Sequence, residues 1–259
     1  MAAADATERL RVGALVWDND YRHPVVLAKE LATIDVLSGG RLQIGIGAGW
    51  MATDYTQSGI PYDSNKVRVD RFEEGLAVLT GALSGEPFSY SGAHYAVTDY
   101  TGLPRPVQQP RPPILIGGGG KRVLSIAARH ADVVGINGTL SAGVVGPEAV
   151  ASMTAEAVDQ KIATVRAAAG ARIDDIELNV RAFIVRVTDD RRGVMDQIAG
   201  FVQVDRSFVE QSPFALIGTT DQIADDLLRR RERWGFNDVI VGAEDVESFA
   251  PVVAELAGR

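Results

Sequence analysis

The sequence predicts an α/β protein in which strands and helices alternate and the strands line up in a parallel sheet. Three observations predict it. Short apolar runs without polar alternation recur, as in strands covered on both faces. The segments between them carry apolar residues at helical spacing. Turn and cap residues fall where one pattern gives way to the other.

Residues 11–17 (Arg11-Val12-Gly13-Ala14-Leu15-Val16-Trp17) read as the first buried strand. Asp18-Asn19-Asp20 supplies turn chemistry. Pro24 then suits the first turn of a helix in which Leu27, Leu31 and Ile34 share a face, and Ser38-Gly39-Gly40 ends it. A second strand spans 42–47, followed by a helix with the stripe Val69, Phe72, Leu76, Leu79 and Leu83. Ile114-Leu115-Ile116 leads through four glycines into a helix around Val123–Ala128, and 132–136 make a further strand. An alanine-rich helix around 152–169 precedes a long strand over 178–187. The last long helix has Thr219 and Gln222 as a capping box and Gly235 as its stop, and 239–241 close a series of six strands. Its Arg229, Arg230, Arg231 and Arg233 read as a complement to the helix dipole on a solvated face rather than as a phosphate patch.

Residues 84–113 interrupt the rhythm. Phe88-Ser89-Tyr90 and His94-Tyr95-Ala96-Val97 flank Ser91-Gly92-Ala93 like a hairpin, and a proline-rich return follows. A loop of this length is either a functional lid or a poorly ordered excursion, and its aromatic residues slightly favour the lid. No linker, repeat or low-complexity block divides the chain, so 1–259 is expected to be one domain with an insertion at 84–113.

Composition narrows the function classes. Of the 259 residues, 46% are hydrophobic, which excludes disorder of the whole chain and supports a sizeable core. With 26 basic and 34 acidic side chains the formal charge is −8, which disfavours nucleic acid and anionic membranes as partners. There is no cysteine, hence no disulfide, thiolate nucleophile or thiolate metal site. The opening residues lack the pattern of a signal peptide and no apolar run is long enough to span a bilayer, so a cytoplasmic location is expected.

Two glycine motifs carry the chemistry. Gly45-Ile46-Gly47-Ala48-Gly49-Trp50 follows a strand, but the dinucleotide fingerprint needs glycine where Trp50 stands. Two readings remain for it: close approach of a planar ligand with Trp50 as a wall, or tight backbone packing around a core tryptophan. Gly117-Gly118-Gly119-Gly120-Lys121-Arg122 lies between a strand and a helix, where free amides and the dipole make an anion site. It is not a Walker loop. Four successive glycines carry a heavy entropic cost for a mere connection, which favours phosphate binding.

Other patterns are weaker. Asp18-Asn19-Asp20 resembles the opening of a calcium loop, but His23 and Lys29 stand where glycine and glutamate belong. His23, His94 and His130 lack paired spacing, so no metal is expected. No nucleophile signature occurs and no carboxylate pair stands out, so a cofactor is the better source of chemistry.

The phrases Leu31-Ala32-Thr33-Ile34-Asp35-Val36-Leu37-Ser38-Gly39-Gly40-Arg41-Leu42 and Gly45-Ile46-Gly47-Ala48-Gly49-Trp50 resemble the luciferase-like monooxygenase superfamily, in particular its branch of oxidoreductases dependent on the deazaflavin coenzyme F420. The likeness continues through Pro112-Pro113-Ile114-Leu115-Ile116-Gly117-Gly118-Gly119 and Gly218-Thr219-Thr220-Asp221-Gln222-Ile223-Ala224. It implies a TIM-type (β/α)8 barrel binding F420, or alternatively FMN, at the carboxyl ends of its strands. By the same resemblance, the strand containing Ala14 and Leu15 backs the ring and is where such families place a non-prolyl cis peptide. Gly47, Gly49 and Trp50 line the ring or its polyol tail, and Gly117, Gly118, Gly119, Gly120, Lys121 and Arg122 hold the phosphate.

The sequence departs from the family in lacking the initial strand, helix and strand, so its six strands correspond to the third to eighth of the usual eight. A start site chosen too late in the gene is the simplest explanation; a shortened relative and completion by another chain are the others. An incomplete barrel is expected, with a gap between the strands near Val12 and Val239, which favours a homo-oligomer. Trp17, Tyr55, His94 and Tyr95 are candidate contacts to a small-molecule substrate, and no catalytic residue is assigned. The leading expectation is hydride transfer between F420 and a small organic substrate. The rivals are an FMN-dependent monooxygenase and a noncatalytic flavin-binding relative.

Overall fold

The structure, a computed structural model, describes residues 1–258. Its strands are β1 (Val12–Gly13), β2 (Trp17–Asp18), β3 (Leu42–Gly47), β4 (Phe88–Ser91), β5 (Ala96–Tyr100), β6 (Ile114–Gly118), β7 (Val133–Ile136), β8 (Glu177–Arg181), β9 (Ile184–Val187), β10 (Ala215–Gly218) and β11 (Phe236–Ile240). The main sheet runs β1-β3-β6-β7-β8-β11, parallel throughout, with β2 also on the free side of β3. β1 and β2 are thus two pieces of one edge position, separated by a cis peptide between Leu15 and Val16. The result is a curled six-strand half-barrel whose edges are β1/β2 and β11.

Alternation divides the sheet into two faces. Ile44, Ile46, Ile114, Ile116, Val134, Ile136, Leu178, Val180 and Phe236 pack with helix residues such as Leu27, Leu31, Phe72, Leu79, Leu124 and Val158 in the main core. The helices therefore cover the convex side. Side-chain caps at Ser64, Thr154 and Thr219 start the helices Asn65–Leu83, Ala155–Ala169 and Thr220–Trp234, the last with the expected capping box and with Gly235 as its left-handed stop.

Three expectations need correction. The strand over 178–187 is two strands, because the chain changes partner at Ala182 and Phe183. The amide of Ala182 bonds to Ile240 O of β11 at 2.8 Å, whereas that of Phe183 bonds to Phe214 O, entering the separate β9–β10 pair. The helix around 152–169 begins only at Ala155, after a short helix Pro147–Ala151. Within the basic cluster, Arg230 is buried, bonding the main-chain oxygens of Ser212, Pro213 and Ala215. That residue is an internal tie between β10 and its following helix, not part of a solvated face.

The hairpin forms as β4–β5. Among the described residues no helix is long and apolar enough to cross a membrane.

Candidate functional site

The concave face carries an unusual row. Asp18 is in register with Gly47, Gly117 with Gly135, Gly135 with Asn179, and Asn179 with Asp238. Since Ile46 pairs with Ile116, the row is continuous from β2 to β11. Three glycines thus form a floor near the carboxyl ends of the strands, with polar residues at either end. Asn179 Nδ2 donates to Asp238 Oδ2 at 2.8 Å and fixes the far end.

At the near end, Leu15 and Val16, the two residues of the cis peptide, are 45% and 40% exposed although both are apolar. Glycines on β3 let this edge lie close: a Cβ at Gly45 would collide with Ala14 O, and one at Gly47 would press on Val16 Cγ2 at 3.0 Å. Gly49 has φ +70°, and a Cβ there would collide with Tyr55 Oη and crowd Asp18. Trp50 is half-buried, and its carbonyl accepts from Tyr62 Oη at 2.9 Å. Trp17 pairs with Ile46 and packs against the main core.

The glycine turn after β6 divides in two. Gly118 O accepts from the Asn137 amide at 2.9 Å, and Gly119 O accepts from Thr139 Oγ1 at 3.1 Å. A Cβ on Gly119 would collide with Gly138 O, so that glycine admits the neighbouring loop. Gly120 and Gly117 face open space: a Cβ on Gly120 would meet nothing within 4 Å, and one on Gly117 only Gly135 O at 4.0 Å. Gly120 is the N-cap of the helix Lys121–His130 and supplies no side-chain cap, so the first amides of that helix remain available to an anion. Arg122 turns away to pair with Asp70 and Glu73. Lys121 is exposed and lines a shallow cleft between its own helix and Ala155–Ala169.

A cluster missed in the sequence lies beside Gly49. Tyr55 Oη is 3.0 and 3.2 Å from the two carboxyl oxygens of Asp18 and 2.9 Å from Asp20 Oδ2. Arg71 donates to Asp20 and to Asp63, each at 2.7 Å. Burial and the two carboxylates push the Tyr55 phenol well above its ordinary range, and burial raises the Asp18 carboxyl. The Asp18-x-Asp20 spacing was visible in the sequence, but its partner Tyr55 stands 35 residues beyond Asp20.

The hairpin residues sit behind this cluster. Glu74 accepts the main-chain amides of Ala93, His94 and Tyr95, and Asn19 Nδ2 donates to Tyr95 Oη at 3.2 Å. The Tyr95 ring meets His23 edge-on. Among the described residues no group of three or more histidine, aspartate or glutamate side chains is arranged to hold a metal.

The fold defines an α/β half-barrel protein with a glycine-lined concave face at the carboxyl ends of its parallel strands. The chain belongs to the luciferase-like monooxygenase family, whose profile matches residues 1–238. It is 30% identical over 195 residues to an FMNH(2)-dependent dimethylsulfone monooxygenase of Pseudomonas putida, covering 74% of this chain and 50% of that protein. It is 33% identical over 127 residues to an F420-dependent glucose-6-phosphate dehydrogenase of Microbacterium testaceum, covering 49% and 37%. The chain spans about half the length, or less, of these curated relatives. Among solved structures, an F420-dependent secondary alcohol dehydrogenase in complex with an F420–acetone adduct superposes with a TM-score of 0.76 at 16% identity, covering 98% of this chain and 81% of the other. The coenzyme F420-dependent tetrahydromethanopterin reductase of Methanopyrus kandleri does so with 0.76 at 20% identity, covering 98% and 84%. These structural likenesses establish the TIM-barrel-type fold.

Proposed function

We propose that the protein is an oxidoreductase that uses coenzyme F420 to transfer a hydride to or from a small organic substrate. The observation that carries this reading is the uncapped helix start at Gly120. It opens beside the glycine floor, at the same strand ends as the cis Leu15–Val16 peptide. A phosphate-bearing tail fits the first: free amides and the dipole favour an anion, and the space at Gly117 and Gly120 admits one. A flat ring fits the second, where Gly117 faces open space and the only side-chain atoms to approach Gly47 and Gly135 are a Val16 methyl and Asn179 Oδ1.

In this reading the main-chain amides from Gly120 to Val123 bind the phosphate. Leu15 and Val16 present an apolar edge that supports the ring and excludes water from it. Gly49 and Trp50 shape the near wall. The coenzyme, when bound, supplies the two-electron chemistry, and the chain supplies orientation and a dry face. The unpaired edges of β1/β2 and β11 favour self-association, and the lack of cysteine fits a reducing cytoplasm.

Titration of the purified protein with F420 and with FMN, followed by fluorescence, tests the reading. F420 is expected to bind at least about tenfold more tightly, a difference of about 1.4 kcal/mol. Failure of both to bind would contradict it. The second reading, an FMN-dependent monooxygenase, draws on the 195-residue match to the P. putida enzyme and predicts the reverse preference.

A further inference from the structure

Asp18 ends β2 on the concave face, in register with the glycine floor, and is partly accessible there. Behind it the chain becomes dry: Tyr55 is 0% exposed and the Asp20 side chain 2%. The Tyr55 phenol has three carboxyl oxygens within 3.2 Å and a single proton to share among them.

The geometry decides where that proton goes. Asp20 is neutralised by Arg71, which donates to it at 2.7 Å and is itself anchored on Asp63. Of the three contacts the one to Asp20 Oδ2 is the shortest, at 2.9 Å, so the phenol donates to Asp20. Asp18 then faces the lone pairs of the phenol oxygen at 3.0 Å, a repulsive contact unless Asp18 carries a proton of its own and donates it. The groups that face Asp18 are few. Asp20 gives it a main-chain amide at 2.8 Å and also repels it by charge. Tyr55 comes from the helix Ala52–Ser58, and Arg68 comes from the helix Asn65–Leu83. Arg68 is 2% exposed, lies over the Tyr62 ring at 4.1 Å, and leaves its Nε without a hydrogen-bond partner. Burial raises the Asp18 carboxyl and outweighs the Asp20 amide, the Tyr55 contact and, least of the three, Arg68, which favour the carboxylate.

We propose that Asp18 is the residue that exchanges a proton with the substrate on this face, waiting there as a neutral carboxylic acid hydrogen-bonded to Tyr55. The proposal rests on the oxidoreductase reading above. For a carbonyl acceptor, carbon gains the hydride and its electron pair from the reduced deazaflavin, and oxygen gains the Asp18 carboxyl proton. The product is an alcohol and the Asp18 carboxylate. In the oxidative direction the carboxylate takes the hydroxyl proton as the hydride leaves carbon. The Asp20–Arg71 ion pair lies behind Tyr55, so the phenol points at Asp20 and offers its lone pair to Asp18.

Infrared spectroscopy of protein carrying carboxyl-labelled aspartate tests this without turnover. The wild type near neutral pH should show the carbonyl stretch of one protonated aspartic acid; Asp18→Asn should lose it, and Asp63→Asn should keep it. With coenzyme bound, Asp18→Asn should lower kcat about 100-fold while changing coenzyme Kd less than about threefold, and Asp18→Glu should recover most of the rate. A wild-type spectrum without the band, with coenzyme binding intact, would overturn this proposal alone. Failure of the wild type to bind either F420 or FMN would overturn the coenzyme reading and this proposal with it. Should Asp18→Asn not fold, the wild-type band is followed with pH: persistence well above the range where exposed carboxyls ionise supports the proposal, and its disappearance there contradicts it.

Discussion

Lys161 Nζ donates to the main-chain oxygen of Asn137 at 2.6 Å, reaching from the helix Ala155–Ala169 to the loop that closes over the glycine turn. A second 2.6 Å bond to Ser152 O completes the anchor, and the side chain is 7% exposed. A buried cation thus ties down the loop whose Thr139 reaches Gly119.

Burial lowers the Lys161 ammonium from its ordinary 10.5 to about 8. The native value lies below the unfolded one, so between those limits the folded protein holds fewer protons and this group's contribution to stability rises with pH. Urea unfolding across that window should show a rise attributable to Lys161 of roughly 3 kcal/mol, from about 1.4 kcal/mol per pH unit. Lys161→Met should remove that component of the slope and, by loosening the loop, weaken coenzyme binding about tenfold. An unchanged slope would contradict the assignment.

Two glycines separate packing from binding. Gly49→Ala forces a Cβ onto Tyr55 Oη at φ +70° and should cost about 2–3 kcal/mol in urea unfolding. Gly120→Ala, at φ −86° with open space around it but at an N-cap where alanine is disfavoured, should cost no more than about 1 kcal/mol. The same Gly120→Ala should weaken coenzyme binding about tenfold, because the methyl occupies the anion's place. Unchanged affinity would mean that the anion lies elsewhere.

The hairpin depends on one carboxylate. Burial pushes the Glu74 carboxyl up, but amides from His94, Ala93 and Tyr95 outweigh it and hold the group below its ordinary value. Such a group stabilises above its unfolded pKa and ceases to do so as pH falls through the native one. Amide exchange at residues 93–95 should therefore quicken in acid, and in Glu74→Gln it should be about tenfold or more faster even near neutral pH. Exchange that is insensitive to both changes would contradict the role given to Glu74.

Much of the fold was legible because its strands are covered by helices on the convex side, which leaves apolar runs such as Leu42–Gly47 and Val133–Ile136 to read directly. The break at Ala182-Phe183 was not, since the run stays apolar while the hydrogen-bond partner changes. The glycine turn and the cis peptide region were visible through glycine spacing and resemblance. The Asp18–Tyr55–Asp20 cluster was not, because pairing of β2 with β3 joins groups 37 residues apart and the aspartates read equally well as a turn. Charge misled at Arg230, which is buried, and at Arg122, which, although adjacent to the glycines in sequence, is drawn off by Asp70 and Glu73 on the neighbouring helix.

Amide chemical shifts report most directly on whether the glycine turn holds an anionic tail. Titrated with F420 and then with FMN, isotope-labelled protein should show its largest downfield amide shifts at Gly120, Lys121 and Arg122, and the Gly120→Ala variant should show them attenuated. Saturable binding that leaves those three amides in place while shifting others away from the carboxyl ends of the strands would contradict the account.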